Sequence, residues 1–140
     1  MDLNKFIELD KNNSLNVFVV NNNVTAIITA LVIDKFNLEN DNVLVISMRN
    51  SSTSLFENIP IKSSPTLFDR IQTKLIGSCP QGTRLKKIIE KHRREFFLYA
   101  PWSMPEVNKM LESNFSIGHI YIEEGQLSYR NSKPYTYVKP

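Results

Sequence analysis

The residues best suited to chemistry are two adjacent carboxylates and a glycine, Glu123, Glu124 and Gly125, which follow the apolar residues 120–122. Neighbouring side chains at the end of a strand point to opposite sides, so only one of the two carboxylates can face a given cleft. Gly125 permits a sharp turn, including one with positive φ. Two adjacent carboxylates, one of them partly shielded, can bring a carboxyl pKa toward the range useful to a general base. An acidic turn after a strand is the simpler interpretation, and residue chemistry leaves both open.

Other candidates for nucleophilic or metal chemistry are few. The single cysteine, Cys79, excludes an internal disulfide framework and a multi-cysteine metal cage. His92 is near it in sequence, but no Asn or Asp partner is identifiable, which favours a small apolar or loop cysteine over a nucleophile. His92 and His119 cannot assemble a zinc site by themselves, so no metal is predicted. His119 lies within a predicted strand, which favours a structural role.

Asparagines 21–23 occupy the turn after the first predicted strand. A dinucleotide-binding turn would have the pattern Gly-x-Gly-x-x-Gly there, and this turn has no glycine. The chain also has no Gly-Lys-Ser/Thr triplet, so NAD binding and a P-loop are both disfavoured. Asn22 or Asn23 is expected to cap the helix that follows. Loops at the carboxyl ends of parallel strands meet ligands, which makes Asn21 and Asn22 candidate substrate-binding residues.

A cluster of basic residues lies in one short stretch: Arg84, Lys86, Lys87, Lys91, Arg93 and Arg94. Such a cluster can attract phosphate, nucleic acid, anionic lipid or an acidic glycan, and it can equally be the solvated face of a helix. Aromatic residues do not alternate with the basic ones as a stacking platform requires, which disfavours nucleic acid.

Hydrophobic periodicity predicts the elements that position these groups. Buried strands are predicted at residues 15–20, 42–47, 95–100 and 117–122, with a short edge strand around Pro60. Helices are predicted at about 23–35, from Pro65 to Leu75, at 83–91 and after a capping box formed by Ser103 and Glu106. The first helix has one broad apolar stripe, made of Val24, Ile27, Ile28, Leu31 and Val32.

This order of elements predicts an α/β fold, a Rossmann-like, doubly wound and mainly parallel sheet, as one domain over residues 1–140. The composition is that of a folded protein, with 41% apolar and 22% charged residues. No apolar run approaches the ~18–20 residues needed to cross a bilayer. The first residues lack the order of a signal peptide. A cytoplasmic protein is therefore expected.

The segment from Tyr121 to Tyr129 resembles the Asp/Glu-Asp/Glu-Gly motif of bacterial sialyltransferases, in particular the capsular polysialyltransferases and lipooligosaccharide sialyltransferases. The strand, polar turn and apolar helix from Val17 to Phe36 are also similar to the start of their N-terminal half. The resemblance implies the N-terminal half of a GT-B glycosyltransferase. It implies that Glu123 is the general base toward an acceptor hydroxyl and that CMP-sialic acid is the donor substrate, with no cofactor. Glu124 and Gly125 would then orient the loop or bind the acceptor.

The chain departs from that family in one respect. The family has a His-Pro motif that binds the nucleotide phosphate, and neither His92 nor His119 precedes a proline. The expectation is therefore an acceptor-side half, without its C-terminal nucleotide-sugar domain and inactive alone. The implied partners are an anionic glycan acceptor, that missing domain and the inner membrane surface as a peripheral contact. The alternative is a non-enzymatic α/β module that binds an anionic nucleotide, nucleic acid or protein.

Overall fold

The fold was obtained as a computed structural model, which describes residues 13–48, 53–62, 68, 71, 74–75, 79–101 and 104–122. Within these ranges, five parallel strands form one sheet with the order β3-β2-β1-β4-β5. The strands are β1 (Leu15–Val20), β2 (Val43–Ser47), β3 (Ile61–Lys62), β4 (Phe96–Ala100) and β5 (Ser116–Tyr121). The helices are α1 (Asn23–Lys35), α2 (Pro80–Glu90) and α3 (Pro105–Leu111), and a 3-10 turn (Asn40–Asn42) precedes β2.

The predicted α/β class is confirmed, because a parallel sheet has helices on both faces. Central strand β1 pairs with β2 on one side and with β4 on the other. Its six residues are all buried, as continuous β-branched and aromatic runs in a doubly covered sheet require. The first described strand lies in the middle of the sheet, and the chain then moves out to β3 and crosses to β4. The winding direction therefore reverses between β1 and β4, and at such a reversal the carboxyl ends of the strands border a crevice.

The two faces of the sheet have separate cores. On one face, α2 and α3 contribute Leu85, Ile89, Val107 and Met110 to a core with Val17 and other strand residues. On the other, α1 contributes Ala26 to a core with Phe18, Val45 and Tyr99. The α1 helix is capped as predicted: Asn22 Oδ1 accepts from the Thr25 amide at 2.9 Å, and Thr25 Oγ1 accepts from the Asn22 amide at 3.1 Å.

The apolar stripe predicted for α1 faces the sheet only in part: Ile28 and Val32 pack against the core. The buried residues of α1 are Thr25, Ala26 and Thr29, whereas Val24, Ile27 and Leu31 are 42%, 53% and 62% exposed. The helix is apolar on nearly all sides, and small inward residues let it approach the strands. Within the described part of the chain, the buried Thr29 hydroxyl finds no hydrogen-bond partner. We name the exposed set Val24, Ile27 and Leu31 the outer stripe.

Two helix starts also differ from prediction. Helix α2 begins at Pro80, three residues before the expected start, because proline suits the first helical position, where no amide partner is needed. Helix α3 begins at Pro105 with Met104 as its N-cap residue and no side-chain cap, whereas the predicted capping box began at Ser103, which lies outside the described residues. Of the helix expected from Pro65 to Leu75, the described residues 68, 71, 74 and 75 are helical, and Ser64, Pro65 and Leu67 lie outside the described residues.

A buried polar chain joins β4, β1 and the 3-10 turn. The Tyr99 hydroxyl donates to Asn16 Oδ1 at 3.0 Å, and Asn16 Nδ2 donates to the Asn42 carbonyl at 3.2 Å. The Tyr99 ring also stacks on Phe18 with centroids 4.1 Å apart. Burial raises the pKa of the Tyr99 phenol, so the folded protein holds this group in its neutral, donating form.

The substitution Tyr99→Phe is expected to lower the free energy of unfolding by about 1–2 kcal/mol, because it leaves a buried amide oxygen without its donor. The raised pKa adds a pH dependence. The unfolded phenol loses its proton near pH ~10 and the folded one only at higher pH, so this tyrosine's stabilisation is present below pH ~10 and is lost as the pH rises further. The difference in free energy of unfolding between the unmodified and Tyr99→Phe proteins, measured in urea, should therefore be constant below pH ~9 and shrink above pH ~10. A constant difference across that range would contradict the assignment.

Candidate functional site

The loops that sequence analysis identified as candidates follow strands that end at the carboxyl edge of the sheet. Strands β1, β4 and β5 all end at this edge, since they are parallel. Ile122 follows β5, is 3% exposed, and donates its amide to the Ala100 carbonyl at 3.2 Å. The chain therefore reaches residue 122 beside the end of β4. Glu123, Glu124 and Gly125 lie outside the described residues, as do Trp102 and Ser103.

Asn21 and Asn22 both take part in the turn between β1 and α1. Asn22 is the N-cap residue. Asn21 is buried, and its amide donates to Thr25 Oγ1 at 3.0 Å, while the same hydroxyl lies 3.1 Å from Asn21 Oδ1. These contacts fix the turn at the point where the winding reverses. The predicted capping role of Asn22 is confirmed, and the predicted role of both residues in substrate binding stays a prediction.

A groove of about 750 Å³ lies between the N-terminal halves of α2 and α3. Its apolar surface comes from Cys79, Pro80 and Pro105, and its polar groups come from Thr83, Arg84, Asn108 and Lys109. Sequence analysis included only Arg84 and Cys79 among its candidates. The signal that could have found the groove is the repeated proline at the first position of two successive helices, Pro80 and Pro105.

The groove is shaped by a close approach of the two helices at Gly82. A Cβ atom built on Gly82 would lie 2.7 Å from Lys109 Cβ and 3.0 Å from Glu106 Cα. Only glycine lets the helices come this near. Leu85 of α2 and Met110 of α3 pack in the same core, and the groove lies next to this contact.

Two cations line the groove. Arg84 Nη2 donates to Gln81 Oε1 at 2.9 Å. Lys109 Nζ lies 3.0 Å from Glu112 Oε2, with the two side chains 40% and 55% exposed. An exposed ion pair such as that of Lys109 and Glu112 contributes little to stability, so an incoming anion can compete for Lys109. The hydroxyl of Thr83 and the amide of Asn108 add hydrogen-bonding groups suited to a polyhydroxylated anion.

The surroundings of Cys79 and His119 favour a structural role for both residues. Burial is the largest influence on the Cys79 thiol and raises its pKa, so the thiol stays protonated at neutral pH and is a poor nucleophile. The Nε2 atom of His119 lies 2.9 Å from the Ala100 carbonyl oxygen, which ties β5 to the end of β4. Among the residues that the structure describes, no three His, Cys, Asp or Glu side chains form a group that could hold a metal ion.

The basic cluster divides into two parts. Arg94 belongs to the opposite edge of the sheet, where its guanidinium donates to Asn42 Oδ1 at 2.7 Å and to the Asp41 carbonyl at 3.2 Å. It therefore links the start of β4 to the start of β2. Lys86, Lys87 and Arg84 lie on α2 itself. Of the six basic residues, Arg84 is the one that lines the groove.

The fold is that of a doubly wound α/β domain, and Arg84 and Lys109 line the groove between its helices α2 and α3. No family model matches the chain, and no curated protein or solved structure matches it significantly. In the described ranges, no helix has the length and apolar character to cross a bilayer.

Proposed function

We propose that this chain is the acceptor-side part of a bacterial glycosyltransferase. The proposed reaction is inverting transfer of sialic acid from CMP-sialic acid to a glycan hydroxyl, as in the synthesis of capsule or lipooligosaccharide. One observation carries the proposal: a buried residue, Ile122, brings the chain to the carboxyl edge of a doubly wound sheet directly before the acid-acid-glycine sequence. That edge is where such sheets meet their ligands.

In this proposal Glu123 takes the proton from an acceptor hydroxyl. The hydroxyl oxygen attacks the anomeric carbon of the donor sugar, and the bond to the CMP oxygen breaks with inversion. General-base catalysis of this kind requires the carboxylate within hydrogen-bond reach of the hydroxyl. Glu124 and Gly125 shape the turn around the acceptor, and Asn21 and Asn22 border it from β1.

The groove between α2 and α3 supports an anionic acceptor. Arg84 and Lys109 are suited to the carboxylates of a sialylated glycan, and Pro80 and Pro105 offer an apolar surface to the C–H face of a sugar ring. A cytoplasmic location, with peripheral contact to the inner membrane where such polymers are made, belongs to the same proposal.

Two assays with one set of glycans test the proposal. Transfer from CMP-sialic acid is followed by mass spectrometry on the polypeptide as its gene encodes it, and acceptor binding is followed by NMR titration of this chain. Sialylated oligosaccharides should shift resonances of the groove, and their neutral counterparts should not. The double variant Arg84→Ala/Lys109→Ala is expected to weaken binding by about tenfold or more, because hydrogen bonds to charged groups contribute ~1.5–3 kcal/mol each. Lys87→Ala, an exposed change on the same helix, is the matched control. Equal binding of charged and neutral glycans would contradict the proposal.

A second candidate function is a non-enzymatic module for an anionic partner, which the two cations of the groove favour. The same assays separate the candidates. Binding of anions through Arg84 and Lys109 with no transfer by the full gene product would support the module, and transfer that depends on Glu123 would support the enzyme.

A further inference from the structure

The ammonium group of Lys109 already binds a carboxylate of the protein itself. Its Nζ atom lies 3.1 Å from Glu112 Oε1 and 3.0 Å from Glu112 Oε2, so it donates to both oxygens of one group. Lys109 lines the groove between α2 and α3, and Glu112 is not one of the residues that line it. The contact therefore engages a cation of the groove, and its two hydrogen bonds show that a carboxylate suits this cation.

We propose that Glu112 is an internal competitor for the ligand of the groove: its carboxylate holds Lys109 until an external anion displaces it. This inference rests on the anion binding of the proposed function, and it adds to that site a residue that sets its affinity. Glu112 lies three residues beyond Lys109 in the chain. The competition is therefore intramolecular, and it acts equally at every protein concentration.

Two features of the pair formed by Lys109 and Glu112 make displacement feasible. Both side chains are exposed, so water screens their attraction and the pair is weak. Glu112 is also the C-cap residue of α3, where the negative end of the helix dipole disfavours its charge. The paired and open forms of Lys109 are therefore close in free energy, and an anion in the groove can shift the balance between them.

The strength of an exposed ion pair sets the size of the expected effect. Such a pair favours the paired form over the open form by a factor of about 1.4–5, which leaves Lys109 open in roughly 15–40% of the molecules. A ligand that requires the open form has its dissociation constant raised by the reciprocal of that fraction. Loss of the Glu112 carboxylate should therefore tighten binding about two- to sixfold, by the same factor for every anion that uses Lys109.

One matched pair of variants tests the competition. Glu112→Gln keeps the length of the side chain and removes its charge, and NMR titrations with sialyllactose and with inorganic phosphate should both show this gain in affinity. Glu57→Gln removes the same charge from another exposed residue. Its neighbour Phe56 packs in the core on the α1 side of the sheet, away from the groove, so this control should leave both dissociation constants unchanged. Both substituted side chains are exposed, so both proteins should stay folded, and circular dichroism checks this.

A double-mutant cycle shows whether the effect passes through Lys109. In a Lys109→Ala protein, Glu112→Gln should leave binding unchanged, because the competitor has lost its target; the initial slopes of the titrations compare the two proteins even where binding is weak. An equal gain in both backgrounds, or no gain from Glu112→Gln alone, would overturn the inference while the groove remains an anion site. Failure of both anions to bind the unmodified and the Glu112→Gln proteins would overturn the proposed anion binding as well.

Discussion

Replacement of Glu123 by Gln is expected to reduce the proposed sialic acid transfer by about 10²–10⁴-fold, the usual contribution of a positioned general base. Glutamine keeps the shape and hydrogen-bonding reach of the side chain but cannot accept the hydroxyl proton. The loss should therefore appear in kcat, with little change in the KM for the acceptor. Steady-state rates with CMP-sialic acid and a fixed glycan acceptor measure both.

The neighbouring carboxylate supplies the control for this experiment. Glu124→Gln has the same change of charge one residue away, and because adjacent side chains point to opposite sides of an extended chain, it should affect acceptor KM more than kcat. The pH profile adds a second readout, since the Glu123→Gln enzyme should lose the dependence of rate on an ionised base. Near-normal turnover of Glu123→Gln would exclude Glu123 as the base.

Substitution of Gly82 should have the largest effect on stability. Gly82→Val places atoms where Lys109 Cβ and the Glu106 backbone already lie, at 2.7 and 3.0 Å from the first added carbon. Since neither is the far end of a flexible side chain, α2 and α3 must separate, at a cost of about 3 kcal/mol, the upper end of typical overpacking. Gly82→Ala should cost about 1 kcal/mol net, because alanine regains ~1 kcal/mol of helix propensity.

Urea unfolding of the unmodified, Gly82→Ala and Gly82→Val proteins checks this order of stability. Lys87→Ala, on the exposed side of the same helix, is the control and should stay within about 0.5 kcal/mol of the unmodified protein. A Gly82→Ala protein more stable than the unmodified one would show that the helices do not approach this closely.

Sequence analysis predicted the positions of the helices and strands along the chain better than it predicted which of their faces are buried. The periodicity of residues 23–35 predicted α1 and its Asn22 cap correctly, but a helix that is apolar nearly all round has two candidate inner faces. The choice between them depends on how near the helix can approach the sheet, which favours Thr25, Ala26 and Thr29. Local sequence holds no record of that distance, so the predicted stripe included Val24, Ile27 and Leu31, which the structure leaves exposed.

The groove was missed for a related reason. Its walls come from α2 and α3, which are separated along the chain by β4, and their contact depends on Gly82 meeting Lys109. Sequence analysis began the basic helix at residue 83 and therefore left Gly82 outside it. The general-base candidate rests on the opposite kind of signal, a short local motif, and Glu123 stays a prediction.

The position of β1 in the middle of the sheet has a consequence for synthesis on the ribosome. One neighbour of β1, strand β2, emerges soon afterwards, but the other does not: Tyr99 is 83 residues beyond its partner Asn16. At about 5–20 residues per second, translation takes roughly 4–17 s to deliver that neighbour. During this interval the nascent chain presents one open edge of a strand that is fully buried in the folded protein, and an uncovered strand edge of this kind promotes aggregation. The strand order therefore makes completion of the sheet slow and dependent on a distant part of the chain. The yield of folded protein should depend on how that edge is covered during translation.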